Sequence, residues 1–335
     1  MRARPSAGRL ARLVRALLLL AGLSFVAYLV YEVGPGTVWD SIRTLSWRLF
    51  IVLCFPYALA TTLDTVGWRF AFHPRPAPFV TLWGARLAGE AINTTTPTAS
   101  VGGEPVKAFL LRPWVPLPEG LASVVLDKTT TVLGQGLFLV LGLALATFLV
   151  PLSAPVMTAM VVLLAVETLA VGGFVLVQLY GMAGRGGRLL SRFGLGPSAD
   201  RQEKLNGLDR SLAGFYRERP RRLLSAVLVH FIAYVVGSLE IYLVLTFLGI
   251  PVSLMTAVVM ESFGAAVKFA SFMVPASLGA LEGGNIAIFA AFGLGGVVGL
   301  SYTLIRRLRE ATWVVVGLVA FAALSRRPRP PVAPR

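Results

Sequence analysis

The stretch NTTTPTASVGGEPVK (Asn93–Lys107) interrupts an apolar region, Phe79–Arg112, that otherwise reads as a membrane segment. Pro97 and Pro105 each lack a backbone donor, and Gly102-Gly103 loosens any helix through them. A second break, PASLGALEGG (Pro275–Gly284), lies inside Leu254–Leu294, which also carries Glu261 and Lys268. In hydrocarbon, backbone of this kind survives only where protein or a wet cavity surrounds it.

The rest of the chain sets that context. Of 335 residues, 56% are hydrophobic and 14% charged, and the mean hydropathy is +0.75. A soluble domain averages roughly 45–50% apolar and about 25% charged. The excess implies apolar surface facing lipid, which excludes soluble, disordered and fibrous classes. Cys54 is the single cysteine, so neither a disulfide framework nor a cysteine-based metal site is expected. His73 and His230 lie far apart, and no metal site or cofactor is expected from them.

Apolar runs place crossings near Val14–Val33, Arg48–Phe72, Gly120–Val150, Pro155–Tyr180, Leu223–Leu248 and Val297–Leu324. Arg2, Arg4, Arg9, Arg12 and Arg15 precede the first run, and no small-residue cleavage site follows it. It reads as a retained helix after a basic cytoplasmic segment, residues 1–13. The net charge is +15, and it is unevenly placed: ten basic against four acidic residues fall in the loop 181–222, and a basic tail occupies 325–335. Basic residues beside apolar spans mark the cytoplasmic side. Each adds about 1 kcal/mol of attraction to anionic lipids on that face. A nucleic-acid partner is not expected.

Parity then constrains the two broken regions: each either enters and returns on one face or crosses twice. If Phe79–Arg112 crossed only once, the basic loop would fall outside. If it enters and returns on the cytoplasmic side, and Leu254–Leu294 does the same from the other face, both basic segments lie inside. The expected fold is an all-α polytopic membrane protein, with residues 14–324 as one transmembrane domain. It has about six full crossings and two opposed re-entrant or broken hairpins. Opposed breaks in corresponding halves point to an inverted repeat of transporter type.

Charges beside the breaks are the candidate site, because intramembrane charge is costly and usually functional. Around the first break stand Glu90, Asn93, Gly102, Gly103, Glu104 and Lys107. Glycines before a helix bare N–H groups suited to an anionic head group, and Glu104 at the helix start suits the dipole. Asp127 and Lys128 are adjacent in the fourth run, so each needs its own partner. Glu261 and Lys268, seven apart, share a helix face. Glu282 follows the break at Pro275–Gly279 and mirrors Glu104. His230 and Glu240, ten apart in the sixth run, need not be close, and His230 reads as a packed histidine. In the last run, Arg306, Arg307, Arg309 and Glu310 cluster, and Arg306 can pair with Glu310 at i,i+4. No Gly-x-Ser-x-Gly, Walker loop, His-Glu-x-x-His or Cys-x-x-Cys is present. No catalytic residue is assigned.

These residues carry a resemblance. Asn93…Pro97…Gly102-Gly-Glu-Pro-Val-Lys107…Leu111, Ala122-Ser-Val-Val-Leu-Asp-Lys128, Pro275…Leu278-Gly-Ala-Leu-Glu-Gly283 and Arg309…Trp313…Gly317 stand in the order found in the lysylphosphatidylglycerol-synthase transmembrane-region family. The chain resembles its flippase-like stand-alone branch, some members of which accompany hopanoid biosynthesis. The family often has Arg where Lys107 and Lys128 stand. The charge is kept while the bidentate fork is lost, which weakens the case for a bound head group.

The resemblance implies a non-enzymatic inner-membrane protein that moves or presents an amphiphilic lipid: a hopanoid, or an anionic or polyprenyl-linked lipid. On that reading Lys107, Lys128, Lys268 and Arg309 meet the head group. Glu104, Glu261 and Glu282 hold those cations or couple to protons. The alternative is a membrane scaffold for lipid-biosynthetic enzymes, with residues 181–222 as its docking surface.

Overall fold

The structure is a computed structural model, and it describes residues 31, 36, 39, 43, 46–72, 77–96, 102–149, 153–180, 199–271, 274 and 277–326. The expected first crossing and the basic N-terminus fall almost wholly outside these residues. So do most of the tail, residues 181–198 of the loop, and Pro97 and Pro275 of the breaks. Every regular element among the described residues is helical.

Five stretches are long and apolar enough to cross a membrane: Arg48–Arg69, Leu117–Phe148, Ala154–Leu179, Pro220–Phe247 and Gly296–Ser325. Helices α1 (Arg48–Arg69), α4 (Leu117–Leu149), α5 (Ala154–Leu179) and α11 (Gly296–Ser325) form four of these. The fifth combines α7 (Pro220–Gly237) and α8 (Leu239–Phe247), joined through Ser238. Each lies within three residues of the apolar run that announced it.

The first broken region forms α2 (Phe79–Thr95) and α3 (Gly103–Leu111). At 1.5 Å per residue α3 is about 14 Å long, half of what a hydrocarbon core demands. It folds back along α2 instead of crossing. The second region forms α9 (Leu254–Ala270) and α10 (Ala280–Ala291) in the same manner.

Two apolar clusters show which ends these hairpins occupy. Phe72 and Ala77 before α2, Leu111 and Val115 after α3, and Leu324 at the end of α11 share one cluster. Arg222 at the start of α7 reaches the same end, donating to the Phe72 carbonyl at 2.8 Å. At the opposite end, Ala146 and Met157 flank the α4–α5 turn. They pack with Val252 before α9 and Leu294 after α10. The hairpins therefore enter from opposite ends, and the start of α7 and the end of α11 share the end of the first.

Helix α6 (Ala199–Glu218) lies within the basic segment 181–222 that links two crossings. Its Leu212 and Phe215 are buried against Leu126 of α4 and near Ala71. A polar sequence with an apolar stripe thus lies against the bundle end. Helix α11 is the spine: it packs along α2, and Gly317 lies so close to the Leu87 carbonyl and Ala91 that a Cβ would not fit.

Candidate functional site

The first hairpin is held shut by residues of its own break. Asn93 at the end of α2 accepts the Gly103 N–H at 2.7 Å and donates to Glu104 at 3.2 Å. A Cβ at Gly103 would overlap the Gly89 carbonyl, so these two glycines set the helix spacing. The expected open cradle of N–H groups at Gly102-Gly103 is corrected here, because the Gly103 donor is taken by Asn93. The glycines serve close backbone approach.

Lys107 is buried within this hairpin, 2.7 Å from Glu90 and 3.2 Å from Glu104. Lys128, on α4, is well exposed and stands 3.8 Å from Glu104. Its neighbour Asp127 faces elsewhere and meets Arg86 of α2 at 2.5 Å. Adjacent positions on a helix point about 100° apart, which explains the separate partners. Arg86 also donates to the Asp64 carbonyl at 2.9 Å and lies over the Trp68 ring.

His230 sits in the same group, fully buried. Its Nδ1 is 2.7 Å from Asp64 of α1, and its Nε2 is 3.3 Å from Asp127. A Cβ at Gly67 would fall 2.6 Å from the ring, and one at Gly134 2.9 Å from the His230 Cβ, so two glycines make room for the imidazole. The His230 side chain is packed, as expected, but it is packed between carboxylates.

The second group gathers where α9 and α10 meet α11. Arg306 places both terminal nitrogens on Glu261 at 2.9 Å, and one of them also meets the Tyr302 hydroxyl. The expected Arg306–Glu310 pair is corrected: Glu310 is bound by Arg307 at 2.8 Å, three residues away. Both spacings are compatible with a helix, and Glu261 on another helix takes Arg306. Arg307 also reaches Glu282 at 2.8 Å. Arg309 pairs with Glu240 at 3.0 Å and lies over the Tyr57 ring.

Glu282 is fully buried and accepts the Gly279 N–H at 2.7 Å, capping α10. Ser277 (φ 50) and Gly279 (φ 80) bend the chain into it. Its likeness to Glu104 is therefore partial, since Glu104 accepts from the side chains of Asn93 and Lys107. Glu261 does not pair with Lys268, although they share a face.

Lys268 stands apart. It is exposed in the last turn of α9, beside the second break, and among the described residues it makes no ion pair. The charged groups that act on it are Glu310, Arg306 and Arg309 on α11 and Glu90 on the first hairpin.

The sequence thus announces Glu90, Glu104, Lys107, Glu261 and Glu282 as charges near breaks, and Arg306 as one of a charged cluster in the last span. It gave no hint of Asp64 and Arg86, single charges inside long apolar runs. Their isolation there was the available signal. Glu167, in apolar α5, carries the same signal; it is buried, and neither carboxylate oxygen has a hydrogen-bond partner among the described residues. No group of metal-binding side chains forms among the described residues.

The comparisons agree with this architecture. The family described as Lysylphosphatidylglycerol synthase TM region matches residues 13–320. A "UPF0104 membrane protein" of Methanothermobacter thermautotrophicus is 25% identical over 314 residues, 88% of this chain and 90% of the relative. A second, of Pyrococcus horikoshii, is 22% identical over 326 residues, 93% and 97% of the two chains. No solved structure matches the chain.

Proposed function

Because this chain belongs to the lysylphosphatidylglycerol synthase transmembrane-region family, we propose that it is a lipid translocase, moving or presenting an amphiphilic lipid between leaflets. It is a multi-pass helical membrane protein. The observation that carries the reading is Lys268, an exposed cation beside the second break that has no ion partner among the described residues. It lies within electrostatic reach of both hairpins. Lys107, Arg306, Arg307 and Arg309 are committed to carboxylates, so their role is to hold the broken helices. Lys268 is placed to meet an anionic or hydroxylated head group, and Lys128, loosely paired with Glu104 at 3.8 Å, stands at the edge of the first group. A hopanoid or a polyprenyl-linked lipid belongs to the same amphiphilic class.

On this reading the protein resides in the inner membrane with both termini cytoplasmic, its basic face on anionic lipids. No step of it calls for a catalytic residue. The test uses proteoliposomes containing a fluorescent phosphatidylglycerol whose outer-leaflet fraction is quenched chemically. Wild type is expected to expose the inner-leaflet pool, and Lys268→Ala to slow that exposure at least tenfold. A wild-type rate no faster than that of protein-free vesicles overturns the reading.

A further inference from the structure

We propose that His230, clamped between Asp64 and Asp127, is a proton-binding site: it holds an imidazolium and exchanges its proton with water through Asp64.

The argument is one of donors and acceptors. Nδ1 faces the Asp64 carboxylate at 2.7 Å and Nε2 faces Asp127 at 3.3 Å. A neutral imidazole carries one N–H and one lone pair. Whichever tautomer formed, a lone pair would point at an anionic oxygen inside a membrane protein, where such repulsion is poorly screened. Only the imidazolium donates on both sides.

Charge counting gives the same result. Asp64 approaches His230 from α1, Arg86 stands behind Asp127 from α2, and Asp127 and the Thr131 hydroxyl approach from α4. Tyr234, one turn along α7, is engaged with Gln135 at 2.9 Å. The adjacent Lys107 and Lys128 are matched by Glu90 and Glu104, so two aspartates and one arginine leave one negative charge, and an imidazolium closes the group to neutrality. Desolvated charge left unbalanced is expensive, so the neutral sum is the stable one.

The group also has a door. The side chains of His230, Asp127 and Arg86 are at most 5% exposed, whereas that of Asp64 is 25% exposed. On release, the Nδ1–H bond breaks and the proton passes to the Asp64 carboxylate, then to water. His230 is left neutral, with Nε2–H still donating to Asp127. Only a proton moves, and the buried group falls from neutral to one negative charge. That charge favours either reloading or a rearrangement that admits a cation. If the lipid-translocase reading holds, this proton is the ion positioned to be exchanged during lipid passage; the site itself does not depend on that reading.

The chain has two histidines, which makes a clean test possible. Full-length His73→Gln protein, labelled with nitrogen-15 histidine and held in lipid nanodiscs, presents one imidazole to nuclear magnetic resonance. At pH 7.5 both ring nitrogens are expected to carry protons. Asp64→Asn in that background is expected to abolish the doubly protonated signal, and Asp64→Glu to keep it. Matching helical circular dichroism and melting of the two variants separate loss of the proton from loss of the fold; if Asp64→Asn does not fold, Asp64→Glu and the parent decide. A single protonated nitrogen in the parent at pH 7.5, or an unchanged signal in folded Asp64→Asn, overturns the proposal.

Discussion

Arg306 holds Glu261 with two parallel hydrogen bonds of 2.9 Å, both partners buried, and so ties α11 to the first arm of the second hairpin. A fork-to-carboxylate bond of this kind fixes orientation as well as distance. Helix α9 cannot rotate without breaking it. Because α11 also carries α2, one rigid helix sets the position of both hairpins.

Removing one side of that pair strands the other. Arg306→Ala is expected to lower stability by about 3–5 kcal/mol, since Glu261 stays buried without its cation. The double replacement Arg306→Met/Glu261→Leu is expected to recover most of the loss. Thermal unfolding in a fixed detergent measures both, and a double variant no better than the single one contradicts the assignment.

Gly103→Ala is expected to open the first hairpin. Its Cβ would overlap the Gly89 carbonyl, and backbone on each side cannot yield as a flexible side chain would. Overpacking of this kind typically costs about 1–3 kcal/mol. Hydrogen exchange of α3 should rise well above that of α4, whereas Gly136→Ala, with open space around it, should leave exchange unchanged.

Lys268 has no ion pair to lose among the described residues, so Lys268→Ala should change stability by less than about 1 kcal/mol. Native mass spectrometry of the purified protein is expected to show less co-purifying anionic lipid in this variant. Lys107→Ala should behave oppositely, lowering stability sharply because Glu90 and Glu104 lose their shared cation. Equal lipid retention by Lys268→Ala and wild type removes the head-group role.

The opposed hairpins predict a labelling pattern. In a Cys54→Ser background, Glu119→Cys near the start of α4 and Ser253→Cys before α9 are both exposed and lie at opposite ends of the bundle. A membrane-impermeant maleimide should modify Ser253→Cys from outside intact cells and reach Glu119→Cys only after lysis. Labelling of both from outside would contradict the arrangement.

Crossings were legible because a span advertises itself by length and hydropathy along one contiguous stretch. The breaks were legible for a similar reason, since Pro and Gly act on their own backbone. Pairings were not. Arg306 looked made for Glu310, four residues on, but Glu261 lies 45 residues away in the chain and is nearer in space. Gly102-Gly103 looked like an anion cradle, because nothing local reveals that Asn93 would fill it. Asp64, Arg86 and His230 assemble from three helices, and each alone is a lone polar residue in an apolar run. Local chemistry shows where charge is tolerated, and only packing shows what neutralises it.

Among the described residues of helix α5, Met160, Glu167 and Gln178 are fully buried, and Val156, Met157, Leu163 and Leu164 rest half-buried on the core; its side-chain bond to α4 is the Gln178–Thr129 contact at 3.0 Å. The hydrophobic effect gives no net pull between helices already in lipid. The bilayer on its exposed face is therefore a large part of what keeps this span in place. Extraction into a short-chain detergent removes that restraint, so α5 should be the first span to detach. The surrounding amphiphile is in that sense a structural component of the protein, and its choice decides whether a purified sample still has all its walls.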